Sequence, residues 1–281
     1  MKIDVDKALS PGRRLRKLLK SFSAHPSPED VHALRTQTRK LEAALHVLFP
    51  GDEQTPRRLL KSLAPMRKAA GRVRDMDVLI AKVSALAVDP DRPSLVKLVD
   101  RMASVRRTHA KRLAKTVASH GKRTRKLLKS CLLRMKQTAA ESAFHVSSAR
   151  VRALAVEIDH WPRFRAGNLH EFRLRAKEIW YILRLSSDAD PQAVDLFGRV
   201  KDAVGEWHDW LELKNLAQQI LIAQSGREVL QAIRRTAREK LRDALIAANA
   251  LRNARLANAG WPSLSRRFRE EPRLQAAGGR S

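Results

Sequence analysis

A helical pattern of one histidine followed by two cations occurs twice in this chain of 281 residues. The first copy, in VHALRTQTRKLEAAL, places His32, Arg35 and Arg39 at positions i, i+3 and i+7. At about 3.6 residues per turn, these three side chains share one face of a helix. The pattern therefore predicts a helix that presents a ridge made of one imidazole and two cations.

The second copy begins 138 residues further along, in LHEFRLRAKEIWYIL, and contains His170, Arg173 and Lys177. The same offset pairs apolar residues, such as Leu41 with Ile179, so apolar and basic positions recur together. The chain is therefore interpreted as a duplication. Two ridges of this kind predict one strongly basic site that is shared between the halves.

A second pair of segments, MRKAAGRVRDMDVLI and VKDAVGEWHDWLELK, repeats at an offset of 134 residues. Each has a glycine four residues after a cation, and a further cation or imidazole three residues after the glycine. A glycine inside a helix costs about 1 kcal/mol relative to alanine, so we expect it to permit close approach of another helix or of a ligand. The matched residues are Arg67 with Lys201, Gly71 with Gly205, Arg74 with His208, and Asp75 with Asp209.

The charge of the chain narrows the class of its partners. Lys and Arg number 57 against 29 Asp and Glu, which gives a net charge of +28, and such a charge favours a polyanionic partner. With 43% hydrophobic residues the chain can still bury a core, unlike a disordered basic tail. Segment 101–140 has 13 Arg or Lys and no Asp or Glu, so many of these cations must face solvent or an anion.

The sequence also predicts the compartment. A single cysteine, Cys131, excludes an internal disulfide and is expected to be a small buried side chain. No stretch approaches the ~20 apolar residues of a membrane span, and the N-terminus lacks the apolar core of a signal peptide. We therefore expect a cytoplasmic protein.

Helical periodicity covers almost the whole chain, and strand alternation is not convincing anywhere. Ser27 and Asp30 are candidate caps for the first histidine-containing helix, and Asn168 for the second. Prolines and glycines, Gly121 among them, are interpreted as stop signals. The predicted helices are 5–22, 28–48, 56–87, 93–119, 122–160 with a break near 138–146, 168–185, 191–223 and 226–256.

Eight helices in two similar sets predict an all-α fold of two pseudo-symmetric four-helix bundles packed side by side. One domain is expected over residues 1–256, with repeat 1 at about 5–119 and repeat 2 at about 122–256. Residues 257–281 lose the periodicity and are expected to form a flexible tail.

The two histidine helices resemble the His-x-x-Arg-x-x-x-(Arg/Lys) helices of CHAD domains, the conserved-histidine α-helical domains. GRVRDMDVL and GEWHDWLEL are similar to the paired Gly-x-x-(Arg/His)-Asp segments of that family. The resemblance covers roughly residues 5–256, with both repeats in the expected order. It implies a helical protein that binds inorganic polyphosphate in a basic groove or pore between its halves and is recruited to polyphosphate granules.

Carried onto this chain, the resemblance implies a set of polyphosphate-binding side chains on the two ridges and on the glycine-containing segments. The chain departs from the family ten residues after each histidine, where Glu42 and Trp180 replace a basic residue. Glu42 is expected to repel phosphate locally. The predicted binding residues are His32, Arg35, Arg39, Lys40, Arg67, Arg74, His170, Arg173, Lys177, Lys201 and His208.

Other functions are less well supported by the residues. No P-loop occurs, and neither His32 nor His170 has a second ligand at i+3 or i+4, so no enzyme, metal or cofactor is expected. With 5% aromatic residues, the basic face lacks the stacking side chains typical of single-stranded nucleic-acid binding. Two alternatives stay open: a nucleic-acid or nucleoid-binding protein that acts through backbone charge, and a structural protein of storage granules with protein partners.

Overall fold

The computed structural model describes residues 3–49, 54–86, 92–141, 154, 156–221 and 226–257. Over these residues the regular elements are helices, and the all-α prediction is confirmed. The helices are α1 (Val5–Leu18), α2 (Pro28–Leu48), α3 (Gln54–Ser84), α4 (Pro93–Glu141), α5 (Ala166–Leu185), α6 (Pro191–Ile220) and α7 (Arg227–Ala257). The predicted tail after residue 257 lies outside the described residues.

The start of α2 follows its sequence signals. Ser27 Oγ accepts a hydrogen bond from the backbone N–H of Asp30 at 3.2 Å, and Asp30 Oδ2 accepts one from the N–H of Ser27 at 3.2 Å. Two otherwise unpaired donors are satisfied by this reciprocal capping box. The predicted bounds of α2 are confirmed.

The start of α5 differs from the prediction that Asn168 caps it. The helix begins two residues earlier, at Ala166, with Arg165 in the capping position. Asn168 Oδ1 accepts a hydrogen bond from the N–H of Arg165 at 2.9 Å, and its Nδ2 donates one to the carbonyl of Arg163 at 3.0 Å. Asn168 therefore lies in the first turn of the helix and holds the backbone of the residues that precede it.

The predicted stop at Gly121 is wrong, because α4 runs through it without a break. Gly121 is buried, and a Cβ built there would lie 3.9 Å from the carbonyl oxygen of Leu19, just beyond α1. The buried positions Val117, Leu128 and Cys131 continue the helical spacing across the glycine. Packing of this apolar stripe outweighs a propensity cost of about 1 kcal/mol. The break predicted near 138–146 falls mostly outside the described residues.

Other helix ends lie within a few residues of their predicted positions, except that α1 ends at Leu18 and not near residue 22. Cys131 is fully buried, as predicted. Among the helices that the structure describes, none combines the length and the apolar character needed to cross a bilayer.

Two contacts between helices position the predicted site. Helix α2 packs against α5, and α3 packs against α6, so the histidine helix and the glycine-containing helix of the first repeat each meet their counterpart in the second. A continuous core that includes Leu34 and Leu41 of α2 and Phe172 and Ile179 of α5 extends across both halves. These buried stripes fix the orientation of the two helices, and with it the direction of the basic ridges.

Candidate polyanion-binding site

The arginine at the centre of each ridge lies against the glycine of the neighbouring helix. A Cβ built on Gly71 would lie 3.2 Å from Arg35 Nη1, and one built on Gly205 would lie 2.7 Å from Arg173 Nη2. The close approach predicted at these glycines therefore involves a guanidinium group from the histidine helix. The same arrangement occurs in both repeats.

In the second repeat the glycine also exposes a backbone acceptor. Arg173 Nε donates a hydrogen bond to the carbonyl oxygen of Lys201 at 3.1 Å, one turn before Gly205. A side chain at position 205 would occupy the space through which the guanidinium reaches this carbonyl. The hydrogen bond holds Arg173 in one orientation, with donors still available for an anion.

The histidines lie at one end of each ridge, near Arg74 in the first repeat and His208 in the second. The rings of His170 and His208 have their centroids 4.7 Å apart. Partial burial lowers the pKa of His170, and His208 and Arg173 act in the same direction. In the first repeat, partial burial lowers the pKa of His32, and the nearby charge of Arg74 adds to this effect. Both ridge histidines therefore favour the neutral form in the free protein.

The last basic residues of the two ridges meet near the interface between the repeats. Burial, and after it the charges of Arg173, Arg39, Arg35 and Lys201, lower the pKa of Lys177 to about 7. Two of these four neighbours belong to the first repeat and two to the second. Arg35 and Arg39 of one ridge and Arg173 and Lys177 of the other therefore belong to one group of neighbouring cations.

Arg67 is a further neighbour of this group. Burial has the largest effect in lowering the pKa of Arg39, and the charge of the nearby Arg67 lowers it as well. Arg67 Nε also lies 3.0 Å from Glu42 Oε1. We call the resulting set the central cluster; its members are Arg35, Arg39, Arg67, Arg173, Lys177 and Lys201.

Tyr181 is a neighbour of the central cluster that the sequence analysis did not select. Lys177 Nζ lies 5.7 Å from the centroid of its ring. Burial raises the pKa of the Tyr181 hydroxyl, while Arg39, Arg35 and Arg173 lower it. Its position, four residues after Lys177 and therefore on the same helical face, was a signal that could have identified it.

Two carboxylates of the matched segments, Asp75 and Asp209, lie near the arginines of the site. Desolvation raises the pKa of Asp209, while Lys82 and Arg173 oppose this effect. Desolvation likewise raises the pKa of Asp75, and Arg35 opposes it. These carboxylates reduce the repulsion among the arginines, which is consistent with an orienting role.

Lys40 is placed differently from the other predicted binding residues. Burial lowers its pKa, with contributions from Arg184 and Arg14 and none from the central cluster. The side chain lines a groove of about 1190 Å³ between α1, α2 and the second repeat, together with Arg14 and Arg184. Trp180 and Tyr181, which contact cations of the central cluster, also line this groove. The structure therefore brings the other cations of the ridges together and leaves Lys40 beside them.

A second group of cations covers the solvent side of α4. Between residues 107 and 129, eight basic residues are exposed, and within the described part of the chain no ion pair joins them to a carboxylate. Many cations of segment 101–140 therefore do face solvent, as predicted. We call this set the α4 outer face; its members are Arg107, Lys111, Arg112, Lys115, Lys122, Arg123, Lys126 and Lys129.

Comparison with known proteins identifies the fold and the family. The crystal structure of the CHAD domain from the plant Ricinus communis is similar to this chain, with a TM-score of 0.57, 17% sequence identity and 88% of each chain covered. At this identity the similarity shows the fold. A search of curated proteins gives no match. The family model of the CHAD domain matches residues 12–218, which is well over half of the chain. The protein therefore belongs to the CHAD domain family.

Proposed function

We propose that this protein binds inorganic polyphosphate, without cleaving it, in the basic groove where its two repeats meet. In this view the chain consists of two pseudo-symmetric four-helix bundles packed side by side, and each contributes one wall. The observation that carries the proposal is the convergence of Arg35, Arg39, Arg173 and Lys201 around Lys177. Four cations that lower the pKa of a fifth form a site with a strong preference for a multiply charged anion.

Polyphosphate matches the donors of this site. It presents closely spaced anionic oxygens along a linear chain and has no base edges to be read. Arginine offers a planar fork to such oxygens, and lysine offers a movable point charge. The central cluster contains four arginines and two lysines, and therefore supplies both kinds of donor.

The aromatic residues near the site favour polyphosphate over a nucleic acid with exposed bases. Lys177 Nζ lies over the ring of Tyr181, and Lys201 Nζ lies 4.6 Å from the centroid of Trp180. Binding of single-stranded nucleic acid requires free ring faces on which bases stack. Here the ring faces hold cations, so the groove is suited to an anion that needs no stacking.

Binding without hydrolysis is favoured by the groups in the cluster. Cations hold phosphate oxygens but do not activate an attacking water, and the carboxylate among them, Glu42, is paired with two arginines. A protein with these properties would be recruited to polyphosphate granules in the cytoplasm, where it could organise the granule or attach another protein to it.

The test is direct binding of long-chain polyphosphate to the wild type and to a variant that combines Arg35→Ala with Arg173→Ala. We expect the variant to lose most of its affinity and to keep the helical circular dichroism of the wild type. Equal affinity of the two proteins would overturn the proposed site.

A nucleic-acid-binding function is the second candidate, and the α4 outer face is the observation that favours it. Eight exposed cations could follow a phosphodiester backbone without reading a sequence. Both functions predict steep salt dependence, so competition is needed to distinguish them. Excess duplex DNA or RNA should displace polyphosphate poorly if the central cluster is the binding site. Efficient displacement would favour the second candidate.

A further inference from the structure

Glu42 and Trp180 occupy equivalent positions, ten residues after the histidine of each ridge. Each of them contacts the first cation of the matched segment, which is Arg67 in the first repeat and Lys201 in the second. The two repeats therefore hold the equivalent cation by different chemistry. This difference has consequences for an anion that enters the site.

In the first repeat, Glu42 bridges two members of the central cluster. Its Oε1 lies 3.0 Å from Arg67 Nε, and its Oε2 lies 3.5 Å from Arg39 Nη1 and 3.4 Å from Arg67 Nη1. Only 12% of the Glu42 side chain is exposed. A carboxylate with both oxygens directed at arginines occupies the position that a phosphate group would take, because both anions accept from the same fork of donors.

In the second repeat, Trp180 holds its cations through its ring face and itself adds no negative charge. Lys201 Nζ lies 4.6 Å and Arg184 Cζ lies 4.9 Å from the centroid of the Trp180 ring. Gly198 makes room for the indole, since a Cβ built there would lie 3.3 Å from Trp180 Nε1. A cation over a ring face keeps its full charge. Lys201 also forms an ion pair with the carboxylate of Asp202, so the indole adds to this pairing without bringing a further negative charge into the site.

The pairing of Glu42 with the arginines is incomplete. Among the described residues, neither Arg39 Nε nor Arg67 Nε completes a hydrogen bond of good geometry, although Arg67 Nε lies close to the carboxylate. A buried donor without an acceptor is unfavourable. A phosphate group brings more oxygens than a carboxylate, so an exchange of Glu42 for phosphate would satisfy donors that Glu42 leaves unpaired.

We propose that Glu42 is an internal counter-anion that holds Arg39 and Arg67 in the free protein and that a bound polyphosphate must displace. This inference rests on the proposed function. It makes Glu42 a determinant of affinity that weakens the first repeat as a binding wall. Removal of the carboxylate charge should therefore strengthen binding.

The test is Glu42→Gln, which keeps the shape of the side chain and removes its charge. We expect polyphosphate to bind on the order of tenfold more tightly, because two charge-assisted pairs become available to the ligand. The dependence of affinity on salt should also steepen, since additional cations would contact phosphate. The matched control is Glu239→Gln, which changes the net charge equally at an exposed position on α7 and should leave affinity within about twofold.

A double-mutant cycle separates this role from a merely structural one. If Glu42 acts by occupying Arg67, the gain from Glu42→Gln should largely disappear in an Arg67→Gln background. A gain of the same size in both backgrounds would overturn the inference, as would an affinity of Glu42→Gln equal to or below that of the wild type. In these cases wild-type binding would still support the proposed function. If neither the wild type nor Glu42→Gln binds polyphosphate, both the function and the inference fail.

Discussion

The central cluster and the α4 outer face carry the same sign of charge but differ in construction. On the outer face, exposed side chains such as Lys122 and Lys126 extend into water. In the cluster, Arg173 is held by a backbone carbonyl, and Lys201 by an indole ring. The outer face has more cations, but the cluster is the more desolvated: there, burial and neighbouring charges lower the pKa of Lys177 to about 7.

This difference shows that charge density alone does not define a binding site. Exposed charges are screened over a Debye length of about 8 Å at physiological salt, so each acts weakly and almost independently. In a partly desolvated cluster the repulsion among cations is stronger, and so is the attraction for an anion that relieves it. Specific binding should therefore depend on the cluster, and the outer face should contribute mainly to long-range attraction.

The largest expected effect is a loss of polyphosphate affinity when two arginines are removed from the central cluster, compared with removal of two arginines from the α4 outer face. Arg35→Ala with Arg173→Ala should weaken polyphosphate binding by about a hundredfold at physiological salt, because each arginine provides charge-assisted hydrogen bonds of roughly 1.5–3 kcal/mol. Arg107→Ala with Arg112→Ala removes two exposed arginines and should weaken it by no more than about threefold. Calorimetric titration measures both affinities. Similar losses in the two variants would remove the distinction between the regions.

One cation of α4 should behave unlike its exposed neighbours. Arg106 Nε lies 2.5 Å from Asp77 Oδ1, and only 5% of the Asp77 side chain is exposed. Arg106→Ala leaves that carboxylate buried without its partner and should lower the free energy of unfolding by about 2 kcal/mol. Arg107→Ala, one residue away and exposed, should change it by less than about 0.5 kcal/mol.

Urea denaturation measures the free energy of unfolding of the two variants. Titration with polyphosphate measures their affinity. Affinity should stay near that of the wild type in both, since neither Arg106 nor Arg107 belongs to the central cluster. Equal stability of the two variants would mean that the contact with Asp77 does not hold α4 in place.

The two regions also differ in how far they could be predicted from sequence. The ridges were predictable because side chains at i, i+3 and i+7 share a helical face whatever the rest of the fold does. The pairing of Arg106 with Asp77, or of Arg67 with Glu42, joins different helices and depends on how these pack. Gly121 failed as a stop signal for a related reason, since tertiary packing overrode a local preference.

A substitution at Gly205 should weaken binding without loss of stability. The Cβ of Gly205→Ala would lie 2.7 Å from Arg173 Nη2, so the flexible guanidinium must move from its place against α6. We expect affinity for polyphosphate to fall about tenfold, because the arginine loses its fixed orientation. The melting temperature should stay the same or rise, since alanine favours the helix by up to about 1 kcal/mol.

Gly121→Ala is the matched control for this effect. A Cβ there would meet Val117 Cγ1 at 3.7 Å, which is ordinary van der Waals contact, and Gly121 lies on α4, away from the central cluster. Thermal denaturation should show a similar or larger gain in stability than for Gly205→Ala, with unchanged affinity. Undiminished binding by Gly205→Ala would show that the position of Arg173 is not fixed by the glycine.

The smallest expected effect is the dependence of binding on pH, and its sign follows from Lys177. Burial and neighbouring cations lower the pKa of Lys177 from 10.5 to about 7, whereas a bound polyanion stabilises the charged amine and raises that pKa again. Binding above pH 7 should therefore take up a proton, and affinity should fall roughly threefold between pH 7 and pH 8. His32 and His170 have pKa values lowered from 6.5, so they change charge at lower pH.

The control is Lys177→Arg, which keeps its charge and should flatten the dependence of affinity on pH between pH 7 and pH 9. Calorimetry at pH 8 in buffers of different ionisation enthalpy measures the proton uptake directly, and equal uptake by the wild type and Lys177→Arg would assign it to another group.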